Sequence, residues 1–351
     1  MSRNVFKGRG ANISPQNPYI KRREVIEHLE GIDEEKYLDK PVTKYYEEHA
    51  AGALSKNNSP DLPLNYSVNP YQGCEHGCIY CYARNSHEYW GFDAGLGFET
   101  NIMVKTNIVE ILKKQFQSKS YHPSPIMLSG NTDCYQPAEK KFGLTRKILE
   151  LCLQTSHPVS IITKNSLIQR DKDILIKLAD KKLVHVYFSL NHLSRKLKAV
   201  LEPRTATAEK KLMVMEDFSK SGIPCGVMVA PIIPSLNSED IPLIIKRSAE
   251  AGALAAGYTI VRLNGNVKTV FKNWINEHFP ERANKVLHQI ESVHGGKLND
   301  TEWGRRIKGS GQIAEMIAQI FKTSKAKYMA NRSMPDFDLS AFSAHGQIRL
   351  F

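Results

Sequence analysis

Three cysteines crowd into eight residues, Cys74-Glu75-His76-Gly77-Cys78-Ile79-Tyr80-Cys81, in the spacing Cys-x3-Cys-x2-Cys. Clustered cysteines in a chain of this size read as metal ligands before they read as disulfides. Their number is informative. A structural zinc site takes four protein ligands, and an electron-transfer iron–sulfur cluster usually takes four cysteines. Cys74, Cys78 and Cys81 on a [4Fe–4S] cluster would leave one iron open. The amino and carboxylate groups of S-adenosylmethionine (SAM) could chelate that iron, and an electron from the cluster could then release a 5′-deoxyadenosyl radical. Two simpler readings stand beside it: a zinc site completed by His76, and inert thiols.

The flanking residues narrow the choice. Ser67-Val68-Asn69-Pro70-Tyr71-Gln72-Gly73 precedes the motif, Tyr80 stands before its last cysteine, and Tyr82-Ala83-Arg84 follows. Together they resemble the radical SAM superfamily, in the branch of spore photoproduct lyase and the DNA repair photolyase-like bacterial proteins, over roughly residues 65–263. The resemblance implies a partial barrel, a [4Fe–4S] cluster, SAM, an external one-electron reductant and lyase-like chemistry.

Several elements must position this loop. Short segments rich in Val, Ile, Tyr or Phe and bounded by turn formers predict strands at 65–69, 126–129, 159–163, 184–190, 225–230 and 258–263. Their near-continuous apolar character suits parallel strands covered on both faces. Between them run amphipathic helical patterns, such as Ile108, Ile111, Leu112 and Phe116, or Ile174, Leu175 and Leu178, or Leu212, Met215 and Phe218. The expectation is an α/β chain with a partial (β/α)6 TIM-like barrel and helical extensions at both ends. An open doubly wound sheet is the alternative. The expected divisions are an arm over 1–62 with a helical stretch at 20–29, a core over 63–266, a helical extension over 267–333 and an irregular tail over 334–351. In the extension, Ile313, Met316, Ile317, Ile320 and Phe321 are expected to share one docking face.

Strand ends after the cysteine loop should line the same mouth. Ser129-Gly130-Asn131-Thr132-Asp133-Cys134 follows the second strand, and Asn131, Thr132 and Asp133 could take the SAM amine or ribose, or merely cap the next helix. By resemblance, the second strand's end is where such enzymes hold the methionyl amine. Lys164 and Ser189 end the third and fourth strands, where the resemblance places a lysine and a serine that serve the cofactor. Arg204 could pair with the SAM carboxylate or form a salt bridge with Glu202. The apolar run Ala230-Pro231-Ile232-Ile233-Pro234 could pack against adenine or belong to the core. Spore photoproduct lyases carry a hydrogen-donating cysteine near the second strand's end. Cys134 lies slightly later in this sequence, so a catalytic Cys134 competes with a buried thiol.

The 351 residues carry a formal net charge of +12, which favours an anionic partner such as DNA or RNA without fixing one. The loop Gly304-Arg305-Arg306-Ile307-Lys308-Gly309 could grip phosphates or be solvated surface, and Trp274 and Trp303 could stack on bases or sit in the core. The last residues, Gln347-Ile348-Arg349-Leu350-Phe351, resemble the peptide by which bacterial DNA-processing proteins dock on the sliding clamp, with Gln347, Leu350 and Phe351 as anchors. No apolar run approaches the roughly 20 residues that span a membrane, and Met1-Ser2-Arg3-Asn4-Val5-Phe6-Lys7 lacks a secretory apolar segment. A cytoplasmic location is therefore expected. The functional expectation is a radical SAM enzyme acting in DNA lesion repair. Radical modification of RNA, a protein or a small metabolite is the alternative, with a non-catalytic iron–sulfur protein as a third reading.

Overall fold

A computed structural model describes residues 8–20, 41–61 and 64–345, so the expected helix at 20–29 and the terminal peptide lie outside the described residues. Among the described residues the strands, in chain order, are β1 (Lys44–Glu48), β2 (Leu54–Lys56), β3 (Tyr66–Val68), β4 (Tyr71–Gln72), β5 (Asn101–Lys105), β6 (Ile126–Leu128), β7 (Val159–Thr163), β8 (Val184–Ser189), β9 (Cys225–Ile232) and β10 (Ala255–Ile260).

Seven strands form the main sheet in the order β10-β9-β8-β7-β6-β3-β2. From β3 to β10 every neighbouring pair is parallel, and β2 runs antiparallel along the outer side of β3. Because consecutive parallel strands are neighbours throughout, the winding never reverses, as it would in a doubly wound sheet. This is a singly wound six-unit sheet, a partial TIM-type barrel.

The six expected parallel strands are all present, with one displaced. The last runs over Ala255–Ile260 rather than 258–263. Its first residues, Ala255, Ala256 and Gly257, lack the β-branched signature, yet they pair in register with Gly226, Val227 and Met228. The predicted helical faces also turn inward. Ile108, Leu112 and Phe116 are buried, as are Ile174, Leu175 and Leu178, and Leu212, Met215 and Phe218. Fully burying a side chain of this size contributes about 1.5–3 kcal/mol. Thr207 caps helix Ala208–Lys220 by accepting from the Lys210 N–H, and Ser194 caps Arg195–Leu201 in the same way at Leu197.

Two features escaped the sequence reading. A second sheet of order β1-β5-β4 stands beside the barrel, with one strand drawn from the segment read as an arm. The segment over residues 334–345 forms no helix or strand but is tied along the amino-terminal ends of the barrel strands. Phe337 stacks on His185 with ring centroids 3.8 Å apart, the Asp338 N–H bonds Lys182 O, and the Ser343 N–H bonds Thr155 O.

The C-terminal helices are Val267–His278, Pro280–Val293 and Gln312–Tyr328. In the last of these Ala314, Ile317 and Phe321 are buried, whereas Met316, expected on that face, is 53% exposed. The loop before it covers the free edge of the sheet: the Ile260 N–H bonds Ile307 O, and the Leu263 N–H bonds Leu298 O. Unpaired strand edges invite pairing with other chains, and this cover removes one. No helix among the described residues is long and apolar enough to cross a membrane.

Candidate active site

The cysteine loop leaves the sheet after β3 and β4, at the carboxyl end of the first barrel strand. Its backbone finds partners from several distant elements. The Cys74 N–H bonds Phe98 O, the Ile79 N–H bonds Leu201 O, and the Arg204 N–H bonds His76 O. Gln136, fully buried, accepts from the Glu75 N–H at 3.0 Å and donates to Gly73 O at 3.0 Å. Gly77 turns the loop at φ +68°, where a side chain would be strained and would press on the Glu99 carboxylate.

Cys74 and Cys78 are buried and Cys81 is half-buried. Burial pushes all three thiols above their ordinary values, as expected for thiols that ionise only when a cation replaces their protons. Among the described residues no three His, Cys, Asp or Glu side chains converge as they would around one metal ion. Three thiols that each bind a different iron of a cubane cluster stand farther apart than that. His76 is turned away from a shared ion: its Nδ1 faces Asp133 Oδ2 at 3.3 Å and its Nε2 meets Asn165 Nδ2 at 3.1 Å. The donor set suits an iron–sulfur cluster and does not suit zinc completed by His76.

Lys164 and Ser189 come together as the strand order implied. Lys164 Nζ donates to Ser189 Oγ at 2.9 Å, and Ser189 Oγ donates to Ala230 O at 3.1 Å, linking three successive strand ends. The same ammonium lies 5.9 Å from the Tyr80 ring centroid. Burial would lower its pKa, but Cys78, Glu202 and Asp133 raise it above its ordinary value, so the cation is held beside the thiols.

The second strand's end divides by role. Asn131 is half-buried, with its amide donating to Gln72 Oε1 at 2.8 Å and Ser86 Oγ at 3.2 Å. Thr132 is buried and donates to Tyr71 O. Asp133 accepts from Thr163 Oγ1, the Lys164 N–H and the Tyr135 N–H, which ties the second and third strand ends together. Burial works against its ionisation, yet His76 and those backbone N–H groups bring it down to about 2. Cys134 does not face the mouth. It is fully buried in the main core, and burial drives its thiol well above the ordinary value.

Glu202 and Arg204 do not pair with each other. Arg204 reaches Glu75 at 3.2 Å, whereas Glu202, fully buried, accepts from the Tyr80 hydroxyl and faces Lys211 and His192 at 3.6 Å each. Burial opposes its ionisation, but Lys211, His192 and Lys164 hold the carboxyl well below the usual range. Neither Lys211 nor Gln136 was singled out from sequence. Each sits in a helical or turn segment where a polar residue reads as surface, and only the fold turns it inward. In the apolar run at the end of β9, Ile232 and Ile233 are core, while Ala230 and Pro231 stay partly exposed at the rim.

Both arginines of the basic loop are paired with carboxylates. Arg305 pairs with Asp300 and Glu302, Arg306 with Asp61, and Lys308 lies over the Tyr258 ring. Trp274 is core, with its N–H on Val200 O, and Trp303 is exposed.

Comparison with known proteins adds a family. Residues 68–247 match the Radical SAM superfamily. An uncharacterised protein of Mycobacterium tuberculosis is 33% identical over 244 residues, covering 69% of this chain and 72% of that protein. One of Methanocaldococcus jannaschii is 30% identical over 226 residues, 64% and 80% of the two chains. Among solved structures, spore photoproduct lyase complexed with dinucleoside spore photoproduct superposes with a TM-score of 0.61 at 16% identity, covering 86% of each chain. A mutant of that enzyme with bound AdoMet and dinucleoside spore photoproduct gives 0.58 at 17%, covering 81% and 79%. At these identities the structures establish the shared fold.

The Asp133 contacts generate a pH prediction. A carboxyl whose folded pKa is depressed from 3.8 to about 2 adds stability above pH 3.8, and loses it as pH falls through 2. That linkage is worth roughly 2 kcal/mol. Urea unfolding of cluster-free Asp133→Asn should show a deficit at pH 6 that shrinks by about that amount near pH 2.

Proposed function

We infer the function from a single premise: the chain belongs to the radical SAM superfamily. Its cofactors are accordingly a [4Fe–4S] cluster and SAM, which together supply a 5′-deoxyadenosyl radical. The reading proposed here is an enzyme that directs this radical at a lesion in DNA. The observation that carries the radical chemistry is the meeting of Cys74, Cys78 and Cys81 with Lys164 and Ser189 at one end of the barrel.

In this reading Cys74, Cys78 and Cys81 each hold one iron. Lys164 neutralises the SAM carboxylate, Ser189 bonds the carboxylate or ribose, and Asn131 offers its amide oxygen to the methionyl amine. Tyr80, braced by Glu202, lies beside the Lys164 ammonium. Thr132, Asp133 and Arg204 act from behind, holding the loops that carry these groups. With Cys134 buried, the hydrogen donor to a product radical is sought elsewhere.

Three features favour an anionic, nucleic-acid substrate. The net charge is +12. The fold-related spore photoproduct lyases are those solved with a dinucleoside lesion. Arg262, two residues past β10 and half-buried near Tyr82, has no hydrogen-bond or ion-pair partner among the described residues, whereas Arg305 and Arg306 are paired. A phosphate oxygen would satisfy its guanidinium. RNA, a protein or a small metabolite remains the alternative substrate class.

The terminal peptide supports a partner on the opposite face. Among the described residues, the Ser343 N–H near the end of the chain meets Thr155 O just before β7, at the amino-terminal end of the barrel. A sliding clamp bound through Gln347, Leu350 and Phe351 would therefore leave the mouth clear.

Anaerobically reconstituted protein, given SAM and dithionite in place of its own reductant, should release 5′-deoxyadenosine. Cys78→Ala should abolish release, and Lys164→Ala should raise the half-saturating SAM concentration about tenfold, as expected for one charge-assisted hydrogen bond. No release from the wild type would sink the enzyme reading, and panels of damaged DNA and RNA decide the substrate. Arg262→Ala should weaken oligonucleotide binding and reduce its salt slope by about 1. Deleting the last five residues should abolish capture by immobilised sliding clamp; undiminished capture would remove the clamp reading.

A further inference from the structure

The amino-terminal segment lies against the back of the cysteine loop in a way the proposed chemistry does not use. The Gly10 and Ala11 N–H groups donate to the two oxygens of the Glu99 carboxylate at 2.9 and 2.8 Å. Glu99 is fully buried and also pairs with the fully buried Arg84 at 2.6 Å. Arg84 in turn donates from Nε to Cys78 O at 2.9 Å and from Nη1 to Ala94 O and Gly95 O. A single buried ion pair thus joins the amino-terminal segment to the backbone of a cysteine.

The contact is close as well as polar. A Cβ on Gly10 would stand 1.8 Å from Gly77 O, so only glycine lets the two backbones touch. Ala11, 1% exposed, packs in one apolar cluster with Cys78, Ile79 and Tyr80. Arg9 anchors the start, donating to Glu99 O, Pro41 O and Thr43 Oγ1. Farther along, Ile13 O accepts from the Leu96 N–H, and the Asn17 amide donates to Glu88 O and Phe92 O.

We infer that residues 9–17 form a retention strap for the iron–sulfur cluster, sealing the Cys78 side of its loop against water, oxygen and chelators. The inference rests on the cluster ligation proposed above. Its physical basis is that the shell around a metal site controls solvent access, and that a ligand loop opens only as often as the contacts over it break. The strap positions the loop and touches no substrate.

The test follows cluster lifetime rather than turnover. Full-length wild type, Gly10→Ala, Arg9→Ala and, as a control, Gly52→Ala are reconstituted anaerobically and their iron content is measured. Each is then exposed to air or to a ferrous chelator while the thiolate-to-iron absorption band is followed. Gly52 has open space around it, with only the end of Gln115 near a new Cβ at 3.8 Å. Gly10→Ala should lose the band roughly tenfold faster than wild type and Arg9→Ala roughly threefold faster, with Gly52→Ala unchanged. Thermal unfolding of the barrel by circular dichroism should stay near the wild-type value in all. Normal loading with wild-type lifetimes in Gly10→Ala and Arg9→Ala overturns the strap alone. A wild-type chain that takes up no iron overturns the cluster reading as well. Should Gly10→Ala fail to fold, the Arg9→Ala lifetime decides.

Discussion

The constraint behind the rest of the structure is that an irregular loop must present three thiols on one side while burying most of its own backbone. A buried peptide group without a partner costs about as much as a lost hydrogen bond, and this loop has few partners within itself. They are imported. Gln136 comes from beyond the second barrel strand, Arg84 from the turn after the motif, Leu201 and Arg204 from beyond the fourth, and Phe98 from the segment leading into β5. The small sheet β1-β5-β4 has the same purpose. Tyr45 of β1 and Thr43 just before it supply hydroxyls to Glu75, which also pairs with Arg204.

The second theme is charge balance in a desolvated place. Glu202, Lys211, His192, Tyr80 and Lys164 meet within a few side chains of the cysteines, and Glu202 and Lys211 are almost wholly buried. Taking such groups from water costs several kcal/mol each, and removing one partner of a buried pair typically destabilises by about 3–5 kcal/mol. The arrangement is therefore a poor way to gain stability but a good way to hold one orientation. The Tyr80 hydroxyl is held by Glu202 and the Lys164 ammonium lies between Ser189 Oγ and the Tyr80 ring, so the two side chains cannot turn independently. That rigidity is what a site needs if it is to place a cofactor carboxylate against a fixed cation.

A third theme is how the open sheet is finished. Its β10 edge is paired by the loop containing Leu298 and Ile307, its β3 edge by β2, and the amino-terminal ends of its strands are crossed by residues 334–345. Asp61 and Arg306 join the segments flanking the two edges. Arg306 of the basic loop, which the sequence left as phosphate grip or solvated surface, takes part in this closure. Arg262, in a segment that sequence inspection had read only as strand, has no ion-pair partner within 4 Å among the described residues.

Sequence alone made the family and six of the strands legible, while the order of the sheet, singly or doubly wound, was left to the structure. Three cysteines at one spacing and six short apolar strands are local signals, carried by neighbours along the chain. It also placed Lys164 and Ser189 at successive strand ends, because parallel strands in sequential order bring their carboxyl ends to one mouth. What tertiary structure alone decided was which polar residues meet one another around the cysteine loop and which thiol lies in the main core. Thr132, Asp133, Arg204 and Cys134 carry the same polar or reactive signature as Lys164, Ser189 and the cysteines of the loop. Contacts with residues dozens of positions away decide which of these side chains meet and which, like Cys134, enter the core. The three cysteines are likewise legible as ligands in sequence, but the shell that would keep a cluster on them depends on Gly10, Glu99 and Arg84 meeting in space. No spacing rule records that meeting.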